Sequence, residues 1–375
     1  MMANMKENPT FSITYNLTLG NGEELESKVA GICLEQTVEL PRSVISDDIY
    51  DRIVAKPVER RELRSGVWQV EVEYPVENIG GEITQFLNIL FGNVSLTPGV
   101  RVVDVSWDRV PSKILPGPAH GIRGIRQMLG VEERALSCTA LKPLGFSAEQ
   151  LAGLAHEFAL GGIDLIKDDH GLANQSYAPF EERLKRCTEA VREANESTGR
   201  NSWYVPHISA PEDELWRRYD LALAEGAGAV MICPQFCSPE VMSAIAVQPD
   251  SLPIMAHPAY TGSFIMNQEH GFSLDFLFGG LWRAMGADFS IYPNADGRFS
   301  FTEDECHAIN LACRRDDVPY KSVFPTPGGG MQLDTVPGWL DKYGKDTVFL
   351  IGGSLYKHPN GIRSAAQEIS NILSA

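Results

Sequence analysis

The sequence predicts an α/β protein in which a C-terminal (β/α)8 TIM barrel follows a small α+β, ferredoxin-like domain. Three observations carry the prediction. Residues 10 to 110 mix strand-like and helix-like segments. A Leu115-Pro116-Gly117-Pro118 break then changes the rhythm. Beyond it, short apolar runs alternate with amphipathic stretches to the end of the chain, as eight β/α units over about 245 residues require. The organisation read from this is an N-terminal α+β domain over 1–115, a linker and connecting helix over 116–130, and the barrel over 131–375.

In the first part, Phe11–Leu17 and Trp68–Tyr74 alternate apolar and polar residues, the period of a half-buried strand. Ile83–Phe91 is apolar at helical spacing and stops at Gly92, and Val102–Trp107 is strand-like again. In the second part, strands are expected near 134–139, 163–168, 203–208, 228–233, 252–257, 288–292, 321–325 and 347–351. The clearest helix runs from Ser147 to Leu160. Ser147 and Gln150 have the spacing of a capping box, and Leu151, Leu154, Ala155 and Phe158 share one face.

Composition narrows the function. With 375 residues, 43% of them hydrophobic, the chain has enough apolar surface for a large core. A net charge of -17 excludes nucleic acid as a partner and means that an anionic ligand must be held locally. Residues 1–9 are polar, so no secretory signal is expected, and no apolar run is long enough to span a bilayer. Seven scattered cysteines without a Cys-x-x-Cys pair fit free thiols in a cytoplasmic protein.

A barrel of this kind carries its chemistry on the carboxyl ends of its strands, and polar residues cluster there. Strand 1 ends near Lys142, a candidate general acid or base if a pocket desolvates its amine. Strand 2 ends in Lys167, Asp168, Asp169 and His170. Asp169 and His170 are candidate ligands for a divalent cation, and Lys167 either neutralises the two aspartates or, as a carbamate, ligates too. Strands 3 and 5 end at His207 and His257, and strand 6 at Asn294, Asp296 and Arg298. Strands 7 and 8 end in Gly328-Gly329-Gly330 and Gly352-Gly353-Ser354, where bare backbone N–H groups can approach a phosphate.

These residues carry a family resemblance. Gly161-Gly162-Ile163-Asp164-Leu165-Ile166-Lys167-Asp168-Asp169-His170 resembles the carbamylation and metal motif of the Rubisco large chain. Pro116–Arg126 resembles its linker into the barrel, Gly328–Met331 and Phe349–Ser354 with His358–Gly361 its last two phosphate loops. The departures point to the Rubisco-like proteins, form IV, of the compact sulfur-salvage type. Lys142-Pro143-Leu144-Gly145 keeps one lysine where Rubisco has two. Pro258 stands in place of a phosphate-binding arginine, Thr261 of a histidine, Arg298 of the mobile-loop lysine and His170 of a metal-binding glutamate.

The resemblance implies a carbamylated Lys167, formed from CO2, holding Mg2+ with Asp169 and His170; the histidine shifts preference toward another divalent metal. It implies that Gly329, Gly330, Gly352 and Gly353 cradle a phosphate, that His257 and Arg298 contact substrate, and that Lys142 and Lys167 are the acid/base pair. It also implies a homodimer in which Glu35 and Asn93 complete the partner's site. The expected activity is non-carboxylating: enolisation or isomerisation of a ketose monophosphate of the methylthioribulose-1-phosphate type, through an enediolate. Decarboxylation of a 3-oxo sugar-acid phosphate is the enzymatic alternative. A barrel that binds a phosphorylated ligand without turnover is the alternative of another class.

Overall fold

The structure, a computed structural model, describes residues 9–375. Of the polar N-terminal stretch, residues 1–8 lie outside the described residues. No helix among the described residues is long and apolar enough to cross a membrane.

The N-terminal part is built on an antiparallel sheet of β1 (Thr10–Thr18), β2 (Lys56–Arg64), β3 (Val67–Pro75) and β4 (Val100–Val105), in the spatial order β4-β1-β3-β2. Alternation decides its faces. Phe11, Ile13, Tyr15 and Leu17 are all fully buried, and Ile13 is paired with Val72 on one side and Val105 on the other. The amphipathic helix Ile83–Phe91 covers that face with Ile83, Phe86, Ile89 and Leu90. β2 has no counterpart in the sequence reading. Its Glu59 to Arg64 are exposed and mostly charged, which suits a sheet edge but leaves no apolar period to detect.

Strands β5 (Leu136–Leu141), β6 (Leu165–Asp168), β7 (Trp203–Val205), β8 (Val230–Ile232) and β9 (Ile254–Ala256) open the barrel. The two-residue β10 (Gly271–Phe272) leaves it to pair in parallel with β4 of the first sheet. β11 (Phe289–Pro293), β12 (Phe324–Gly328) and β13 (Val348–Leu350) complete it. Two parallel sheets result, β13-β5-β6-β7 and β8-β9-β11-β12. A parallel bridge between His207 and Met231 joins them at one seam. At the other, Gly328 lies so close to Leu350 that a Cβ on it would stand 2.9 Å from that side chain. The seventh strand begins three residues later than the apolar run 321–325 predicts. Its paired segment is Phe-Pro-Thr-Pro-Gly, and the ladder to β11 takes it in parallel from Phe324 to Gly328 despite two prolines.

Leu136, Cys138, Leu165, Val205, Met231, Met255, Phe289, Ile291, Phe324 and Val348 fill the barrel, and Ile122, Ile125 and Leu129 of helix Gly121–Leu129 join the same cluster. The entry to that helix is held by Asp288, just before β11. Its buried carboxylate accepts the N–H groups of His120 (3.0 Å), Gly121 (2.7 Å) and Ile254 (3.0 Å). The predicted capping box is present: Ser147 Oγ accepts from Gln150 N at 3.2 Å, and Gln150 Oε1 from Ser147 N at 2.9 Å.

Candidate active site

Side-chain alternation along β6 sorts its charged end. Leu165 faces the barrel interior, so Lys167, two residues on, does as well; Ile166 and Asp168 face the surrounding helices. Asp168 is therefore no part of the mouth. It is fully buried, accepts Arg183 Nε (3.2 Å), Tyr204 Oη (2.8 Å) and the backbone N–H of His207 (3.1 Å), and is paired with an equally buried guanidinium. Asp169 is paired instead with Lys142, whose Nζ lies against its Oδ2. Neutralisation of both aspartates by Lys167, one of the two sequence readings, is thus not what the structure contains. Arg183 and Lys142 do that work.

Lys167 is 2% exposed, and its Nζ donates to the carbonyl of Asp168 at 2.8 Å. Burial pushes its amine down to about 8 from the usual lysine value. Lys142, at the end of β5, is half-buried, and desolvation with the Arg298 guanidinium nearby lowers its pKa too. Asp169 Oδ1 accepts from Gly171 N at 3.1 Å and stands 3.2 Å from His170 Nδ1. Its Oδ2 is the oxygen that Lys142 Nζ is set against. The imidazole of His170 stacks on that of His257, ring centres 4.5 Å apart, and desolvation followed by the repulsion of Lys167 lowers its pKa.

Behind these rings stands a cluster that the sequence reading named only in part. His207 Nδ1 lies 2.9 Å from the carbonyl of Leu172, which can only accept, so that nitrogen carries the proton. Its Nε2 then faces Cys233 Sγ at 3.6 Å, and the same sulfur lies 3.8 Å from His257 Nδ1. Burial pushes His207 down to about 4 and the Cys233 thiol up to about 12, so both are neutral at physiological pH. His207 was expected only as a strand end, and Cys233 only as a free thiol at the end of the 228–233 strand.

The two glycine loops differ. Gly329 and Gly330 have φ of +88° and +143°, and a Cβ on Gly330 would stand 2.5 Å from the Cα of Gly297. That contact and the 3.0 Å bond from Arg298 N to Gly329 O tie the strand 6 loop to the strand 7 loop. At Gly352 and Gly353 a Cβ would meet nothing within 4 Å, so packing does not demand glycine there and a bound group has room. Arg298 is exposed above these loops, near enough to Lys142 and His170 to depress both. Asn294 is buried and turned to Tyr343, whose hydroxyl it accepts at 2.8 Å.

Glu35 and Asn93 lie in the N-terminal part, where Asn93 Nδ2 donates to Glu35 Oε1 at 2.9 Å. They line a cavity of about 450 Å³ with Glu23, Lys28 and the exposed Leu96. That cavity holds no convergence of low-pKa lysines and imidazoles. The barrel mouth does, which makes it the candidate site.

Among the described residues no three His, Cys, Asp or Glu side chains are grouped to hold a metal. A divalent cation at the mouth would need Lys167 as a further anionic ligand. The residues fit that role: the buried amine gives up its proton readily, and Asp169 is a buried carboxylate that already holds a cationic group, Lys142 Nζ, against its Oδ2.

A (β/α)8 barrel carrying a lysine-aspartate-histidine mouth opposite two glycine loops, beside a mixed-sheet domain, defines a class, the Rubisco large-chain fold. Residues 121–375 match the family described as ribulose bisphosphate carboxylase large chain, catalytic domain, and the chain belongs to that family. It is 37% identical over 337 residues to 5-methylthioribulose-1-phosphate isomerase of Rhodospirillum rubrum, covering 88% of this chain and 87% of that one. It is 34% identical over 374 residues to 2,3-diketo-5-methylthiopentyl-1-phosphate enolase of Bacillus pumilus, covering 96% and 91%. The crystal structure of a Rubisco-like protein from Rhodopseudomonas palustris superposes with a TM-score of 0.85 at 34% identity, over 98% of each chain.

Proposed function

We propose that this protein is a non-carboxylating Rubisco-like enzyme that abstracts a proton next to the carbonyl of a ketose monophosphate, as an isomerase or enolase acting on a substrate of the methylthioribulose-1-phosphate type. The observation that carries the reading is the contact of Lys142 with Asp169 beside the buried Lys167. It brings two lysines of depressed pKa and a carboxylate to one point of the mouth. The names of the isomerase and enolase relatives support the reaction class. Pro258, in place of the family's arginine, removes the cation a second phosphate would need, which favours a monophosphate.

In this reading Lys167 as a carbamate, Asp169 and His170 hold Mg2+ or another divalent metal, which when bound polarises the substrate carbonyl. The phosphate is seated on the N–H groups of Gly329, Gly330, Gly352 and Gly353. Lys142, as free amine, takes the proton from the carbon beside the carbonyl and returns it to the enediolate. His257 and Arg298 hold substrate oxygens. The protein works as a homodimer in the cytoplasm, where its thiols stay reduced.

Proton exchange with D2O tests this. Incubation with 5-methylthioribulose-1-phosphate or 2,3-diketo-5-methylthiopentyl-1-phosphate, with Mg2+ and bicarbonate, is expected to wash out the proton next to the carbonyl, followed by NMR. Lys142→Ala is expected to slow the exchange by about 10²–10⁴-fold. Absence of exchange with either ketose, or an unaffected Lys142→Ala variant, sinks the reading. Shared sites have their own test. Lys142→Ala and Asn93→Ala proteins, each inactive alone, are expected to regain activity when unfolded and refolded together, because a mixed dimer holds one intact site. No recovery means that Asn93 serves its own subunit's site or none.

A further inference from the structure

The lysine at the end of β5 and the last glycine loop are joined by one phenol. Tyr356 ends the short helix Gly353–Tyr356 that follows Gly352. Its hydroxyl accepts the backbone N–H of Lys142 at 2.9 Å and donates to the carbonyl of Ala140 at 2.9 Å. The ring packs edge-on against Phe158, centroids 5.5 Å apart, which holds it from behind.

The pattern of the ladder explains why a phenol is there. β13 pairs in parallel with β5 from Val348 and Leu136 to Leu350 and Cys138. The last rung is the bond from Ile351 N to Cys138 O at 2.9 Å. In a parallel ladder the bonds on one edge involve alternate residues, so beyond the N–H of Ala140 this edge of β5 presents the carbonyl of Ala140 and the N–H of Lys142. Continued pairing would satisfy both from the backbone of residue 353. The chain has instead turned away into the Gly352-Gly353 loop. The Tyr356 hydroxyl, one donor and one acceptor, takes the place of that residue's N–H and C=O.

We propose that Tyr356 is the positioning residue for Lys142: its hydroxyl replaces the missing rung, so that Lys142 stays in strand register while the backbone of Gly352 and Gly353 is released from the ladder to hold phosphate. The inference rests on the reading of Lys142 as the base and of this loop as part of the phosphate cradle. It adds a link between them, because the same short helix carries the phosphate loop at its start and the tether of the base at its end.

Tyr356→Phe removes the hydroxyl and keeps the ring. In the D2O exchange assay its kcat is expected to fall about 10- to 100-fold, the scale of a misplaced catalytic group. KM for the ketose phosphate and inhibition by inorganic phosphate are expected to stay within about 2-fold of wild type, since the cradle is untouched. Incorporation of 4-aminophenylalanine at 356, whose amine both donates and accepts, is expected to restore most of kcat, which a purely packing role does not predict. If Tyr356→Phe keeps full kcat while Lys142→Ala abolishes exchange, the base assignment stands and the tether is wrong. A variant with raised KM and weakened phosphate inhibition but unchanged kcat also overturns it, since the phenol then serves the loop alone. If Lys142→Ala leaves exchange intact, the base assignment falls and the tether with it.

Discussion

Arg183→Met will lower the free energy of unfolding by about 3–5 kcal/mol, the range for removing one partner of a buried ion pair. Arg183 is fully buried and spends its donors on Asp168 Oδ2 (3.2 Å) and the carbonyls of Ala178 (2.7 Å) and Ala173 (2.9 Å). Methionine fills most of the space but leaves the equally buried Asp168 with only Tyr204 Oη and the His207 N–H. The uncompensated carboxylate, not the lost pair, sets the cost. The double variant Arg183→Met/Asp168→Asn is therefore expected to be more stable than the single one, because asparagine removes the buried charge while its Oδ1 accepts the His207 N–H and its Nδ2 donates to Tyr204 Oη. Urea unfolding checks both. A loss below about 1 kcal/mol in Arg183→Met, or a double variant less stable than the single, shows that the pair is dispensable. The consequence reaches the mouth, because Arg183 also ties down the loop after β6 and Asp168 lies between Lys167 and Asp169. Exchange activity is expected to fall with stability.

The network was not legible in the sequence. Arg183 stands among Glu181, Glu182, Lys185 and Arg186, which read as one solvated helix face. Nothing local marks the single arginine that the helix turns toward the barrel wall. The run Lys167-Asp168-Asp169-His170 was legible as a charged strand end, but which member faces inward depends on the register of β6. The barrel strands could be read because each is a short apolar run between helices, and the inner layer of Leu165, Val205, Met231, Met255 and Ile291 leaves that signature. β2 could not, since an exposed edge of charged residues has the composition of a loop. Tyr356 and Cys233 were invisible for another reason. Each acts through a contact made between neighbouring barrel strands far apart in sequence, with Lys142 and with two histidines, and no spacing along the chain encodes those contacts.

Lys167→Met is expected to abolish proton exchange and at the same time to stabilise the protein by roughly 2 kcal/mol at pH 7 in metal-free, CO2-free buffer. The amine is fully buried, and its pKa falls from 10.5 in the unfolded chain to about 8. Each pKa unit is worth about 1.4 kcal/mol, so keeping this lysine protonated inside the barrel costs on the order of 3 kcal/mol. Methionine of similar length removes that cost but also the bond to the Asp168 carbonyl, worth about 1 kcal/mol. The sign has a pH signature. Below pH 8 the lysine is protonated in both states and the wild type bears the whole cost. Between about pH 8 and 10.5 the folded protein releases the proton that the unfolded chain still holds, so wild-type stability rises and the gap to Lys167→Met closes. Thermal or urea unfolding of both proteins across pH 6–10 measures it. A variant less stable than wild type at pH 7, or a gap that does not narrow with pH, means that the lysine is held for packing. A protein that keeps an amine where methionine would be more stable keeps it for its chemistry, and the barrel floor around Lys167 is built to make that amine easy to deprotonate.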